Sequence, residues 1–155
     1  MRIALVQMNS GADKAANIAK ASAFIDEAAR AGADLVVLPE FFNYYYFALY
    51  RDYQHFEVAE PDTGPTITAI REKARQHGLH IVATIFEEEA PGVYYDTAML
   101  VAPGGDIIGK YRKTHPAAVR SLEKIYFRYG TKFPVFRVKE FRVGCVVCYD
   151  LSFPE

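Results

Sequence analysis

The chain has 155 residues, 51% apolar and 24% charged, enough for one domain with a real core. Its formal charge of −1 gives no electrostatic case for nucleic acid or an anionic membrane as partner. The apolar opening is too short for a secretion signal and no later run approaches a membrane span, so a soluble, cytoplasmic protein is expected.

In chain order, RIALVQM (2–8) reads as a buried strand, followed by a loop at Asn9-Ser10-Gly11. From Asp13 to Arg30, Ile18, Ala21, Phe24, Ile25 and Ala28 recur at three- and four-residue steps, predicting an amphipathic helix that Gly32 stops. ADLVVLPE (33–40) is a second buried strand. Strand, helix and strand within about forty residues are the sequence image of a right-handed crossover with parallel strands. The aromatic stretch FFNYYYFALYRDY (41–53) belongs to a core edge or an oligomer contact, with a pocket wall as the alternative use. A second helix follows Asp62-Thr63-Gly64-Pro65 and runs to His77, where Gly78 ends it. LHIVATIFEE (79–88) is a third strand. VYYDTAMLVAP (93–103) and DIIGKYRK (106–113) are joined by Gly104-Gly105, a hairpin signal. After an irregular stretch come LEKIYFRYG, the short strand PVFRV, and a final strand in FRVGCVVCYD.

These elements predict an α/β fold: a mixed sheet with two main helices on one face. Two helices cannot cover both faces of about six strands, so the second face is expected to be bare and in need of a partner or of further sequence.

Both cysteines lie in GCVVCYDLSFPE, three residues apart. A structural zinc site needs four ligands, and His55, His77, His80 and His115 are scattered. Positions three apart on a strand point to opposite faces, which speaks against a working dithiol. Cys145 therefore reads as a buried apolar residue. Cys148 falls where the strand gives way, and strand C-terminal ends are where ligands bind in open α/β sheets. Glu40 closes LVVLPE and Lys113 follows IIGKYR, so a carboxylate, an ammonium and a thiol could converge on one sheet edge. In such a set the thiolate is the nucleophile and the carboxylate shuttles its proton. The ammonium then supports the developing oxyanion.

VVLPE around Glu40, YRKTH around Lys113 and GCVVCYDLSFPE around Cys148 resemble, in order and spacing, the three signature segments of the nitrilase, or carbon–nitrogen hydrolase, superfamily. IALVQMNS, AEPDTGPT and EKIYFRYG with PVF resemble its amidase and carbamoylase branches, including β-ureidopropionase-like and N-carbamoylputrescine amidase-like members. The resemblance implies a Glu40–Lys113–Cys148 triad, a second glutamate at Glu123, and an oxyanion contact from the backbone N–H of Tyr149. Tyr46 is a further candidate for the substrate pocket.

It also implies a metal-free and cofactor-free hydrolase of small amides or N-carbamoyl compounds, homo-oligomeric when complete, with a four-layer α-β-β-α sandwich. Residues 1–155 are then expected to be the N-terminal part of one such domain, cut short on its C-terminal side. The rival expectation is an inactive half-domain that works only by association. Asp96 stands where the family commonly has asparagine, and Tyr129 where proline is common. The Lys113–Glu123 loop is slightly short.

Overall fold

A computed structural model describes residues 1–154. Five strands form the main sheet in the order β1-β2-β3-β4-β5: β1 (Ile3–Leu5), β2 (Leu35–Val37), β3 (His80–Ala90), β4 (Val93–Val101) and β5 (Ile107–Arg112). β1, β2 and β3 are parallel, and β3, β4 and β5 antiparallel, which makes the sheet mixed as expected. Gly105, at φ +82, turns the β4–β5 hairpin.

Both long helices, α1 (Lys14–Arg30) and α2 (Pro65–His77), lie on one face. The Asp13 side chain accepts from the Ala16 N–H at the start of α1, and Gly78, at φ +63, closes α2. Side chains alternate along each strand, so Val36, Ile81, Ala83, Ile85, Met99 and Val101 meet Ala21, Ile25, Ile67, Ile70 and Ala74 of the helices.

The opposite residues, Leu35, Val82, Ala98, Leu100 and Tyr111, point to the other face, and here the structure departs from expectation. That face is not bare. The antiparallel ribbon of β6 (Val135–Val138) and β7 (Phe141–Gly144) forms a separate sheet, and Phe136, Val138, Val143, Cys145 and Val147 pack onto the main one. Gly109 permits this approach, because a Cβ there would stand 1.8 Å from the Phe136 ring. The ribbon covers β2 to β5 but not β1. Ile3 and Leu5, expected to be buried, are 49% and 78% exposed on this uncovered edge. The last strand is also shorter than predicted: its ladder ends at Gly144, and residues 145–147 continue without a strand partner among the described residues.

The aromatic stretch after β2 is mostly core. Phe41 and Phe47 pack with Phe86, Tyr126 and Phe127 beside α3 (Glu123–Tyr126), a one-turn helix. Among the described residues no helix is long and apolar enough to cross a membrane.

Candidate active site

Glu40 follows β2 after Pro39, and the backbone turns sharply at once, with Phe41 at φ +56. Its carboxylate is half-buried and faces Lys113, the residue just past β5. Lys113 is fixed in place by its N–H bond to the Asp96 carbonyl (2.9 Å), and its own carbonyl accepts from Gly130 (2.8 Å). Its side chain has no exposed area, and its ammonium lies 2.7 Å from Glu40 Oε1, 2.8 Å from Glu123 Oε2 and 3.5 Å from Asp96 Oδ2.

Burial opposes a charge at Lys113, but the facing carboxylates outweigh it and hold its pKa above the usual lysine range. Glu123, at the start of α3, is 1% exposed rather than a surface acid. It accepts from the Tyr46 hydroxyl (2.9 Å) and from the Ala117 N–H (2.7 Å), while Ser121 Oγ meets the same tyrosine hydroxyl at 2.6 Å. Tyr46 thus turns its hydroxyl to Glu123. Burial pushes the tyrosine pKa up, so it remains a donor.

Cys148 opens a 3-10 turn, Cys148–Ser152, with φ +48, a conformation uncommon outside glycine. The turn is clamped by Asp150, whose buried carboxylate accepts from the Val147 N–H (2.9 Å), the Tyr111 hydroxyl (2.7 Å) and both the backbone N–H and ring Nδ1 of His115 (2.9 Å each). Burial alone would raise the pKa of Asp150; these donors outweigh it and hold the carboxyl below the usual range. The clamp ties the turn to β5 and to the loop beyond Lys113.

Cys148 is exposed, whereas Cys145, packed against the main sheet, is half-buried, and both are free thiols. Glu40 and both cysteines line one cavity of about 290 Å3, with Val37, Val82 and Ala98 among its apolar walls, and of the two thiols only that of Cys148 is exposed. Burial and then the Glu40 charge push the Cys148 thiol pKa up, as expected of a thiol that shares a cavity with a carboxylate. Tyr149 follows Cys148 in the turn, its ring edge-on to Phe153 at 5.3 Å.

Glu40, Lys113, Glu123 and Tyr46 are therefore joined through direct contacts, Cys148 lines the same cavity as Glu40, and Tyr149 follows the cysteine in the turn. The sequence alone did not point to Asp150, Tyr111 or Ser121. The aspartate two residues after the candidate nucleophile was the one available signal, since acidic residues are favoured in the first turn of a helix. Among the described residues no group of three or more His, Cys, Asp or Glu is arranged to hold a metal ion.

The carbon-nitrogen hydrolase family model matches residues 2–155. The chain belongs to the carbon–nitrogen hydrolase family. It is 34% identical to the omega-amidase NIT2 of Homo sapiens over 160 residues, covering 99% of this chain and 56% of that protein. It is 40% identical to a nitrilase of Pyrococcus abyssi, covering 100% and 58%. With the N-carbamoylputrescine amidase of Solanum tuberosum the identity is 33%, covering 99% and 52%.

Among solved structures, an amidase from Nesterenkonia sp. superposes with a TM-score of 0.87 at 26% identity, covering 99% of this chain and 57% of the other. A carbon–nitrogen hydrolase from Helicobacter pylori G27 gives 0.92 at 24%, covering 99% and 53%, a likeness of fold. The chain spans about half the length of the relatives it matches, and its architecture is that of about half of the nitrilase-like fold.

Proposed function

We propose that the complete protein hydrolyses non-peptide C–N bonds in small amides or N-carbamoyl amines and amino acids, with Cys148 as nucleophile. One observation carries this reading: a fully buried lysine bridges two glutamates at 2.7 and 2.8 Å, and one of those glutamates shares a cavity with an exposed cysteine on a strained turn.

Glu40 takes the thiol proton as sulfur attacks the carbonyl carbon. The oxyanion that forms is met by the Tyr149 backbone N–H and stabilised by the positive charge of the buried Lys113 ammonium beside Glu40. Collapse breaks the C–N bond, and Glu40 returns its proton to the departing amine. Water, deprotonated by Glu40, then attacks the thioester or thiocarbamate and frees the sulfur. Glu123, held by Tyr46 and the Ala117 N–H, keeps Lys113 in position. No step calls for a metal or an organic cofactor. The names omega-amidase, N-carbamoylputrescine amidase and citrullinase among the relatives support a small amide or ureido substrate. On the family resemblance the complete protein is also assigned as a cytoplasmic homo-oligomer.

The test is turnover of an aliphatic amide, an N-carbamoyl amine and a nitrile by three forms of the protein. Cys148→Ala abolishes hydrolysis of the preferred substrate while Cys145→Ala largely retains it. Equal loss in both variants, or none in Cys148→Ala, rejects the assignment.

A second reading is that these 155 residues alone lack turnover and act only through association. It is favoured by the roughly half-length match and by exposed Val146, Leu151 and Phe153 around the cysteine turn. An active monomer of the 155-residue chain on size exclusion would rule it out.

A further inference from the structure

Among the described residues five acidic ones are buried: Glu60, Glu87, Asp96, Glu123 and Asp150. Four of them are supplied with hydrogen-bond donors. Glu60 accepts from the Thr66 N–H and hydroxyl, and Glu87 from Thr97, Lys110 and Arg112. Glu123 accepts from Tyr46 and the Ala117 N–H, and Asp150 from four donors on three residues.

Asp96 is different. It is 1% exposed, and among the described residues neither of its carboxyl oxygens has a hydrogen-bond partner of ordinary geometry. The groups that face it are Glu40 beyond β2, Lys113 beyond β5 and Glu123 at α3, while its partner across β3 is the uncharged Phe86. Three carboxyl groups therefore surround one ammonium, and that ammonium lies closer to Glu40 and Glu123 than to Asp96. An ionised carboxylate without donors, at no solvent exposure and beside a second carboxylate, is among the costliest arrangements a protein interior can hold. A proton between the two carboxyls turns that repulsion into a hydrogen bond.

We propose that Asp96 is a neutral carboxylic acid at physiological pH and serves as a positioning residue, donating its proton to Glu40. Burial first, and the neighbouring Glu40 charge second, push its pKa well above the usual carboxylate range. Lys113 then balances two carboxylates instead of three, and Glu40 is tethered from behind while its other side faces the thiol. That benefit to Glu40 rests on the catalytic reading above; the protonation state does not, and it is tested without any measurement of turnover.

An acid that is neutral in the fold and ionised in the unfolded chain binds one more proton when folded, so its presence costs stability as pH rises above about 3.9, the ordinary aspartate pKa. Asp96→Asn is neutral in both states and removes that dependence. Urea denaturation of the 155-residue chain and of Asp96→Asn between about pH 5 and about pH 7 reads the difference. The variant's folding equilibrium constant should gain on the parent's by about tenfold per pH unit.

A second measurement covers the case in which the variant does not fold. The unaltered chain labelled with 13C-aspartate should show, at neutral pH, a protonated-carboxyl infrared band that moves with the label. A stability difference that does not change with pH overturns the proposal, and so does the absence of a labelled protonated-acid band.

Discussion

Lys113, Glu123 and Asp96 are buried, with the lysine bridging Glu123 and the half-buried Glu40, whereas Cys148 keeps an exposed side chain on a strained turn. The cluster gets its order from burial: once Tyr46, Ala117 and Lys113 close around Glu123, no water competes for its charge. The cysteine turn has no such cover and is held instead by one carboxylate, Asp150, working from beneath. Lys113 and Glu123, which hold charge and position, are buried, while Glu40 and Cys148 line the cavity and the sulfur sits on a clamped backbone. A positive φ in a non-glycine residue costs on the order of 1–3 kcal/mol, so such a clamp is needed.

The largest effect is expected from breaking the sealed side. Lys113→Met keeps the length of the side chain but leaves Glu40 and Glu123 facing each other without a cation. It should lower stability by about 3–5 kcal/mol, read as a shift of the urea midpoint. A loss below about 1 kcal/mol, the scale of an exposed pair, would show that the cluster is open to solvent.

Next comes the clamp. Asp150→Asn keeps an acceptor but loses the charge that receives four hydrogen bonds, and should cost about 1.5–3 kcal/mol. The sign of its pH dependence follows from a depressed carboxyl pKa: the stabilisation is present above the unfolded pKa, about 3.9, and is lost as pH falls through the folded one. The parent chain should therefore lose its advantage over Asp150→Asn in acid, and equal acid sensitivity of the two would count against the clamp.

The smallest effect separates positioning from packing within the cluster. Tyr46→Phe removes one donor to Glu123 and leaves the ring in place, for about 1 kcal/mol. In the active protein it should lower kcat with little change in KM. A rise in KM alone would instead give Tyr46 a direct part in holding substrate.

Much of this architecture could be read from residue order, because α1, α2 and the β4–β5 hairpin are set by local chemistry. Asp13, Gly78 and Gly105 act where a capping residue or a left-handed backbone is needed. The failures concern elements whose state depends on distant neighbours. Ile3 and Leu5 have the composition of a buried strand, yet lie exposed because the ribbon stops short of β1. Residues 145–147 have strand composition, but a ladder also needs a partner. The second face is covered because the strands in PVFRV and FRVGC form a separate ribbon that packs on the main sheet, and strand composition does not say which sheet a strand joins.

At the site, the positions of Glu40 and Lys113 follow from strand ends, and that of Cys148 from the end of a strand-like run whose ladder stops at Gly144. What could not be read was their setting. Glu123 is indistinguishable from a surface acid until Tyr46, some eighty residues earlier in the chain, is seen to meet it. Asp150 likewise gains its meaning only from Tyr111 and His115.

The claim on which all of this turns is that the thiol of Cys148 faces the carboxylate held by the buried lysine. Alkylation rates of the two cysteines against pH, resolved by peptide mass mapping in the parent chain and in Glu40→Gln, test it most directly. Because the Glu40 charge raises the thiol pKa, its removal should move the Cys148 midpoint to lower pH and leave Cys145 where it was. An unchanged Cys148 midpoint, or a shift confined to Cys145, would contradict the account.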